Sequence, residues 1–259
     1  MTTDLHDYSL PAIFVASIVF IVAATEVGRF LGLRESGHGG DDVSTLEGAI
    51  LGLLALMIGF TFAMALSRFE TRRDAVLSEA NAIGTTALRA RLLPAPHNAE
   101  INKLLREYVT IRLNIAQRVI TTTELNAAIA RSNEIQEALW QHTKLLVAQD
   151  NGMVPTGLSI QTLNEMIDDQ GKRLEALRNQ VPNIVLLTLY GVAIVASALA
   201  GYANGLEARR VRFPVYVMGF LAVVVILLIQ DLDRPTAGFV KVSQQPMIDT
   251  AKSISGYPD

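Results

Sequence analysis

The sequence predicts an all-α membrane protein with four transmembrane helices and a helical soluble domain inserted between the second and the third of them. Two observations support this fold class. Four segments are apolar over about 20 residues, the length that spans a bilayer core of about 30 Å as a helix. The stretch between the second and third segments instead mixes charged residues with regularly spaced apolar ones. A soluble fold of 259 residues can bury one such apolar helix, but four are hard to cover.

The four apolar segments comprise residues 10–30, 48–66, 181–206 and 213–230. The last three carry no charged residue, whereas the first contains Glu26 and Arg29 near its end. No lysine or arginine precedes the first segment, and it is longer than the roughly 7 to 15 apolar residues of a secretory signal. We therefore expect it to remain in the protein as a membrane helix.

Changes in composition along the chain predict its domain organisation. Residues 1–67 contain the first pair of transmembrane helices, 68–180 the helical soluble domain, 181–230 the second pair, and 231–259 a C-terminal tail. Within the soluble domain, apolar residues recur at helical spacing in four stretches, which predicts four amphipathic helices. These stretches begin at Val76, Ile101, Ala128 and Ile160.

Local signals predict where these helices begin and end. Pro94 and Pro96 lack a backbone N–H and are expected to end the first amphipathic helix. Thr121 and Glu124 have the spacing of a capping box and are expected to open the third. No proline or glycine separates the second apolar segment from the first amphipathic stretch. We therefore expect one continuous helix over about residues 46–92, roughly 70 Å long at about 1.5 Å per residue.

The composition excludes several functional classes. The chain has no cysteine, and no ligand spacing relates its four histidines, so we expect no metal site and no cofactor. These histidines are His6, His38, His97 and His142. No serine, histidine and carboxylate grouping and no phosphate-binding glycine loop occurs, so we expect no enzyme. A formal net charge of −3 gives no reason to expect a nucleic-acid partner.

The distribution of basic residues predicts the orientation in the membrane. An even number of spans places both termini and the soluble domain on the same side. Lysine and arginine near the membrane ends are more numerous on that side, which favours the cytoplasm. The domain side has Arg68, Arg72, Arg73, Lys172, Arg173, Arg178, Arg234 and Lys241, and the loop side has Arg29, Arg34, Arg209, Arg210 and Arg212.

Five short motifs resemble a known family. They are LMIGFTF at residues 56–62, SRFE at 67–70, EANAIGT at 79–85, LLREY at 104–108, and DLDRP at 231–235 followed by Gly238, Val242 and Ser243. In this order they are similar to the bestrophin-like domain family of bacterial membrane proteins. The resemblance implies four membrane helices and a homo-oligomer in the bacterial inner membrane. More distant similarity to bestrophins implies a pentameric anion channel with a cytoplasmic domain, whose partners are inorganic ions, membrane lipid and further copies of itself.

The second membrane helix is the candidate pore helix because its two faces differ. A face of small residues, which permits close packing, carries Gly48, Gly52, Ala55, Gly59 and Ala63. A stripe roughly opposite carries Leu54, Ile58, Thr61 and Ala65. If the small face packs against neighbouring helices, the second stripe lines a pore, with Leu54 and Ile58 as a constriction that gates by dewetting. The alternative is that these two side chains face lipid.

Arg68, Arg72 and Arg73 follow at the domain end of the same helix. In an oligomer they would form a ring of positive charge that concentrates anions at the pore mouth. The alternative is that they flank the membrane and pair with Asp231 and Asp233.

Charged residues near the membrane ends are expected to be structural or gating charges. They are Glu26, Arg29, Glu47, Asp231, Asp233 and Arg234. Glu26 and Arg29 lie three residues apart, so an ion pair between them lowers the cost of charge at that depth. A gating or proton role for Glu26 is the alternative. Glu47 has the spacing of a capping box with Ser44, or it joins the first pair.

Two other functions stay open at this point. The first is a cation channel, because the sequence does not determine the sign of the permeant ion. The second is a membrane-anchored helical sensor or scaffold that conducts no ions. A membrane helix that leads into a helical bundle and returns to a membrane helix is also typical of ligand-sensing domains outside the cytoplasm.

Overall fold

The computed structural model describes residues 8–35, 40–117, 121–149, 152, 154–207, 212–235 and 238–257. Within these ranges it contains eight helices and no strand, which confirms the predicted all-α class. The helices are α1 (Leu10–Arg34), α2 (Gly40–Ala90), α3 (His97–Gln117), α4 (Thr122–Gln149), α5 (Val154–Arg178), α6 (Asn183–Leu206), α7 (Phe213–Asp233) and α8 (Gln245–Ser255).

The chain divides into two compact units. Unit 1 contains the residues up to Phe69 together with Gln180–Arg234 and Gly238–Val240, and unit 2 contains Glu70–Asn179 and most of the tail after Val240. Four helical stretches, in α1, α2, α6 and α7, are long and apolar enough to cross a membrane. These four helices confirm the four predicted spans.

In unit 1, α1 packs most closely against α6, through two pairs of glycines. Gly28 and Gly32 on α1 face Gly201 and Gly205 on α6, each pair four residues apart. A β-carbon at any of these positions would collide with backbone atoms of the opposite helix. The absence of side chains therefore lets the two backbones approach each other, as in the small-xxx-small contacts of membrane helices.

Unit 2 is a helical bundle around an apolar core. Ile83, Leu105, Ile135, Leu139 and Met166 are 0–1 % exposed and come from α2, α3, α4 and α5. The predicted capping box is confirmed at the start of α4, where the Glu124 N–H donates to Thr121 Oγ1 at 3.2 Å and the Thr121 N–H to Glu124 Oε2 at 2.7 Å. Helix α8 was not anticipated, and its Met247 and Ile254 are buried in this core.

The predicted continuous helix is confirmed, since α2 runs without a break from Gly40 to Ala90. Its early start corrects one interpretation of Glu47. An N-cap residue has non-helical backbone angles and precedes the first turn. Ser44 lies inside α2, so the pair of Ser44 and Glu47 is not a capping box at a helix start.

Candidate functional site

One face of α2 is covered within unit 1, and it is the stripe that the sequence suggested for the pore. Leu54 is 6 % exposed, Thr61 3 % and Ala65 0 %, and Ile58 is half-buried. The Thr61 hydroxyl donates to the Met57 carbonyl at 2.7 Å. A pore between subunits is lined by side chains that are exposed in the single chain. Leu54, Thr61 and Ala65 are covered in the single chain, and their lining of a pore stays a prediction.

The opposite face of α2 is exposed from Ala49 to Asp74, and we call it the free face. It carries Ala49, Gly52, Leu56, Gly59, Ala63, Glu70 and Asp74, spaced three, four or seven residues apart. A β-carbon built at Gly48, Gly52 or Gly59 meets no heavy atom within 4 Å. The sequence suggested these glycines for helix packing, but they make no such contact within the subunit. They are accessible for helix packing against a neighbouring copy of the chain.

The three arginines at the end of this membrane segment occupy different environments. Arg72 is 2 % exposed, Arg68 is half-buried with its Nη1 3.5 Å from the Met64 carbonyl, and Arg73 is exposed but lies off the free face. The exposed charges on the free face itself are the carboxylates of Glu70 and Asp74. The arginine ring stays a prediction, for which Arg73 offers the most accessible charge of the three.

Asp231 holds the chain that follows α7. Its carboxylate accepts the backbone N–H of Phe239 at 2.6 Å and that of Val240 at 2.9 Å. The turn passes so close that a β-carbon at Gly238 would lie 2.8 Å from the Asp231 carbonyl oxygen and from Oδ1. This contact gives a physical reason for an aspartate at 231 together with a glycine at 238.

Asp233 and Arg234 also bind backbone groups within unit 1. Asp233 Oδ2 accepts the Val181 N–H at 2.8 Å, just before α6 begins, and Arg234 Nη2 donates to the Tyr8 carbonyl at 2.6 Å, just before α1. The end of α7 is thereby fastened to the starts of two other membrane helices. These contacts favour structural roles for the three charged residues of the DLDRP motif, whereas a gating role stays a prediction.

Glu26 has partners on α7 and just before it. The Tyr216 hydroxyl donates to the Glu26 carboxylate, and Arg212 Nη1 lies 3.8 Å from Glu26 Oε1. The predicted partner was Arg29, whose Nε is buried without a hydrogen bond among the described residues. Tyr216, on a different helix, is better placed than Arg29 to bind the Glu26 carboxylate, because Glu26 and Tyr216 face each other between α1 and α7.

A buried ionic cluster lies in unit 2 and links α2, α3 and α5. Glu79 is 0 % exposed and is flanked by two arginines. Arg112 Nε lies 2.7 Å from Glu79 Oε1, and Arg173 Nη1 lies 2.5 Å from Glu79 Oε2. The Tyr108 hydroxyl lies 2.9 Å from Glu79 Oε1. One carboxylate thus neutralises only one of two buried guanidinium charges, and the cluster keeps an excess positive charge.

Side-chain amides complete this cluster. Gln170 Oε1 lies 2.7 Å from the Tyr108 hydroxyl and accepts the Gln136 amide at 2.9 Å, while Arg173 Nη2 donates to Gln244 Oε1 at 2.9 Å. Burial opposes the charge of Glu79, but Arg112 and Arg173 outweigh it and hold the pKa of Glu79 below its usual value. Burial, and then the charge of Glu79, raises the pKa of Tyr108. Glu79 is therefore ionised and Tyr108 protonated at neutral pH.

A sequence model of the Bestrophin-like domain matches residues 13–247, which is most of the chain. The chain belongs to the bestrophin-like domain family. Crystal structures of a bacterial bestrophin homologue from Klebsiella pneumoniae have the same fold. One variant gives a TM-score of 0.69 at 16 % identity over 96 % of this chain and 99 % of that one. Another structure gives 0.66 at 16 % identity over 97 % and 100 %. A comparison with curated proteins finds no match.

Sequence reasoning missed the Glu79 cluster of this bestrophin-like chain. The signal was present, because Glu79, Arg112 and Arg173 each fall on the apolar stripe of an amphipathic helix. A charged residue at such a position is buried, and buried charges are paired. Periodicity shows that three charges point inward, but it does not show that they meet.

Proposed function

We propose that this bestrophin-like protein is an ion channel formed by several copies of the chain, with a pore surrounded by one α2 helix from each subunit. The observation that supports this most directly is the free face of α2. It continues through the membrane-spanning part of the helix, and no other part of its own unit covers it. Five subunits are expected from the resemblance to bestrophins.

Small residues on the free face allow several α2 helices to approach a common axis. Gly52, Gly59 and Ala63 supply this surface, and Leu56, 56 % exposed, is the largest side chain on the membrane-spanning part of the free face. Phe60, 67 % exposed, flanks it. A ring of Leu56 side chains forms the narrow apolar part of the proposed pore, where dewetting stops ion flow. Leu56 thus takes the role that the sequence suggested for Leu54.

The charges next to this segment bear on ion selectivity. The resemblance implies anions, and Arg73 is the exposed cation that could attract them. Glu70 and Asp74 lie on the free face itself, about two and three turns beyond Ala63, and their repetition in every subunit would attract cations. Cation conduction is therefore the second candidate, and it is favoured by this specific placement.

A bilayer recording tests the proposal. The purified protein is reconstituted in planar bilayers under a KCl gradient, and the reversal potential is measured. A current that reverses near the potassium equilibrium potential supports a cation channel. The double variant Glu70→Gln/Asp74→Asn should then lose its preference for potassium over chloride. A reversal near the chloride potential that is weakened by Arg73→Gln supports anions. Silence under varied voltage and pH would contradict the channel and favour a sensor or scaffold.

A matched pair of variants tests the position of the pore. Leu56→Ser places a hydroxyl on the free face and should raise the current several-fold, because a polar ring wets the constriction. Leu221→Ser on α7 is the control, since Leu221 is 55 % exposed and lies on another span. Equal currents in both variants and in the wild type would remove Leu56 from the pore.

The location and orientation belong to the same proposal. We propose the bacterial inner membrane, with the soluble domain and both termini in the cytoplasm, on the basis of the family and of the excess of basic residues on that side. The chain lacks cysteine, so single cysteines at Arg34 and Gln141 report sidedness without background. In intact cells, an impermeant thiol reagent should label position 34 and not position 141. The reverse pattern would contradict the cytoplasmic domain.

A further inference from the structure

Two histidines that are 45 positions apart in the sequence meet in unit 2. His97 is the first residue of α3 and is 7 % exposed, and His142 lies on α4 and is half-buried. Their Nδ1 atoms are 3.0 Å apart, a hydrogen-bonding distance, and their rings meet edge to face with centroids 5.3 Å apart. The contact joins the start of α3 to α4 directly after the Pro94–Pro96 turn that follows α2.

The bond between these nitrogens depends on the number of protons that the pair carries. With both rings neutral, one Nδ1–H donates to the other Nδ1. A first added proton leaves one Nδ1 as an acceptor, so the bond survives. A second proton places N–H groups on both Nδ1 atoms, which removes the acceptor and leaves two like charges in contact.

The surroundings of His142 oppose its positive charge more than they favour it. Burial, and then the neighbouring His97, lowers the pKa of His142, and Glu100 acts in the opposite direction. The arginines at the end of α2 are engaged elsewhere, since Arg89 donates to the Leu158 carbonyl at 2.7 Å and Arg91 stacks over the Tyr257 ring at 4.8 Å.

We propose that His97 and His142 form a proton-released latch, which holds the start of α3 against α4 near neutral pH and lets it detach in acid. The ligand that releases the latch is the proton, which breaks the hydrogen bond between the two Nδ1 atoms. Release frees the first turn of α3 and the proline turn before it. The connection between the end of α2 and the start of α3 is thereby loosened. The latch is a property of unit 2 and does not depend on ion conduction.

Hydrogen–deuterium exchange of the full-length protein in detergent tests the latch, at about pH 7.5 and about pH 5.5, with rates corrected for the intrinsic effect of pH. Amides of residues 97–105 and 139–146 should exchange at least about threefold faster at the lower pH, because the doubly protonated pair has no Nδ1 acceptor left. The midpoint of the change should lie below the value of about 6.5 for a free imidazole. No change, or a midpoint above that value, would overturn the proposal.

Glutamine substitutions separate the latch from general acid sensitivity. His142→Gln keeps a hydrogen-bonding amide but does not titrate, so its exchange in these segments should not depend on pH; His97→Gln serves if that variant does not fold. His38→Gln also removes one imidazole, outside the described residues, and should behave as the wild type does. An equal acid response in His142→Gln and the wild type would refute the latch. Hydrogen–deuterium exchange does not require ion conduction. The latch can therefore be confirmed even if no current is recorded in planar bilayers.

Discussion

Glu79 and Arg173, 94 positions apart in the sequence, form an ion pair of 2.5 Å between Oε2 and Nη1 in the interior of unit 2. The pair joins α2 to α5 beside the apolar core of this bundle. Arg112 approaches the other oxygen of the same carboxylate, so the carboxylate holds two cations that have no other charged partner in the described contacts.

Removing the charge of Glu79 should strongly destabilise unit 2. Glu79→Gln leaves two buried guanidinium groups without a counter-charge, and breaking such a pair costs about 3 to 5 kcal/mol. Thermal unfolding in detergent measures the loss. Glu134→Gln is the control, because Glu134 pairs with Arg131 on the surface and its removal should have no measurable effect.

The same variant has a defined pH dependence. The folded state holds the pKa of Glu79 below its usual value of 4.5, so its stabilisation is complete above that pH. The difference between wild type and Glu79→Gln should persist from neutral pH down to about 4.5 and shrink in stronger acid, as the folded-state carboxylate protonates. A difference that shrinks near neutral pH would show that Glu79 is not ionised there.

The glycine contact between α1 and α6 should tolerate no added methyl group. Gly201→Ala places a β-carbon against the Thr25 backbone, and overpacking of this kind costs about 1 to 3 kcal/mol. Gly191→Ala, on the same helix, meets nothing within 4 Å and should not lower the melting temperature. Equal melting temperatures for the two variants would contradict the close approach of the helices.

Cysteine cross-linking should distinguish the two faces of α2. Ala63 lies on the free face and Ala65 is 0 % exposed, two residues further along the same helix. In the proposed oligomer, Ala63→Cys should form disulfide-linked dimers under mild oxidation, whereas Ala65→Cys should not. Gel electrophoresis without reducing agent detects them. Cross-linking through position 65 alone would instead support the face of Leu54, Ile58, Thr61 and Ala65 as the one that lines the pore.

Asp231 should hold the turn after α7 through its two acceptor oxygens. Asp231→Ala removes the acceptor for the N–H groups of Phe239 and Val240, at a cost of about 1 to 3 kcal/mol. Amides 239 and 240 should then exchange with solvent faster, and Asp231→Asn, which keeps one oxygen, should have a smaller effect. Asp249→Ala changes an exposed carboxylate of α8 and is the control.

The sequence by itself determined the helices of this protein. Hydropathy over about 20 residues identified α1, α6 and α7 and the membrane part of α2, since the cost of exposing backbone and charge to lipid depends on local composition. Helical periodicity and the capping box of Thr121 and Glu124 identified helices of unit 2, because the spacing of apolar residues and a capping box are both local features of the sequence. The short helix α8 was not predicted from the sequence, because its eleven residues are mostly polar and only Met247 and Ile254 are buried.

The tertiary structure alone decided which surfaces meet. Both faces of α2 carry small or apolar residues, and only packing shows that Leu54 is covered while Leu56 is exposed. The motif at the end of α7 marked Asp231 without indicating the backbone groups that it binds. His97 and His142 gave no signal as a pair. Contacts between distant residues depend on how helices pack against one another, and the periodicity of a single helix contains no information about its neighbour.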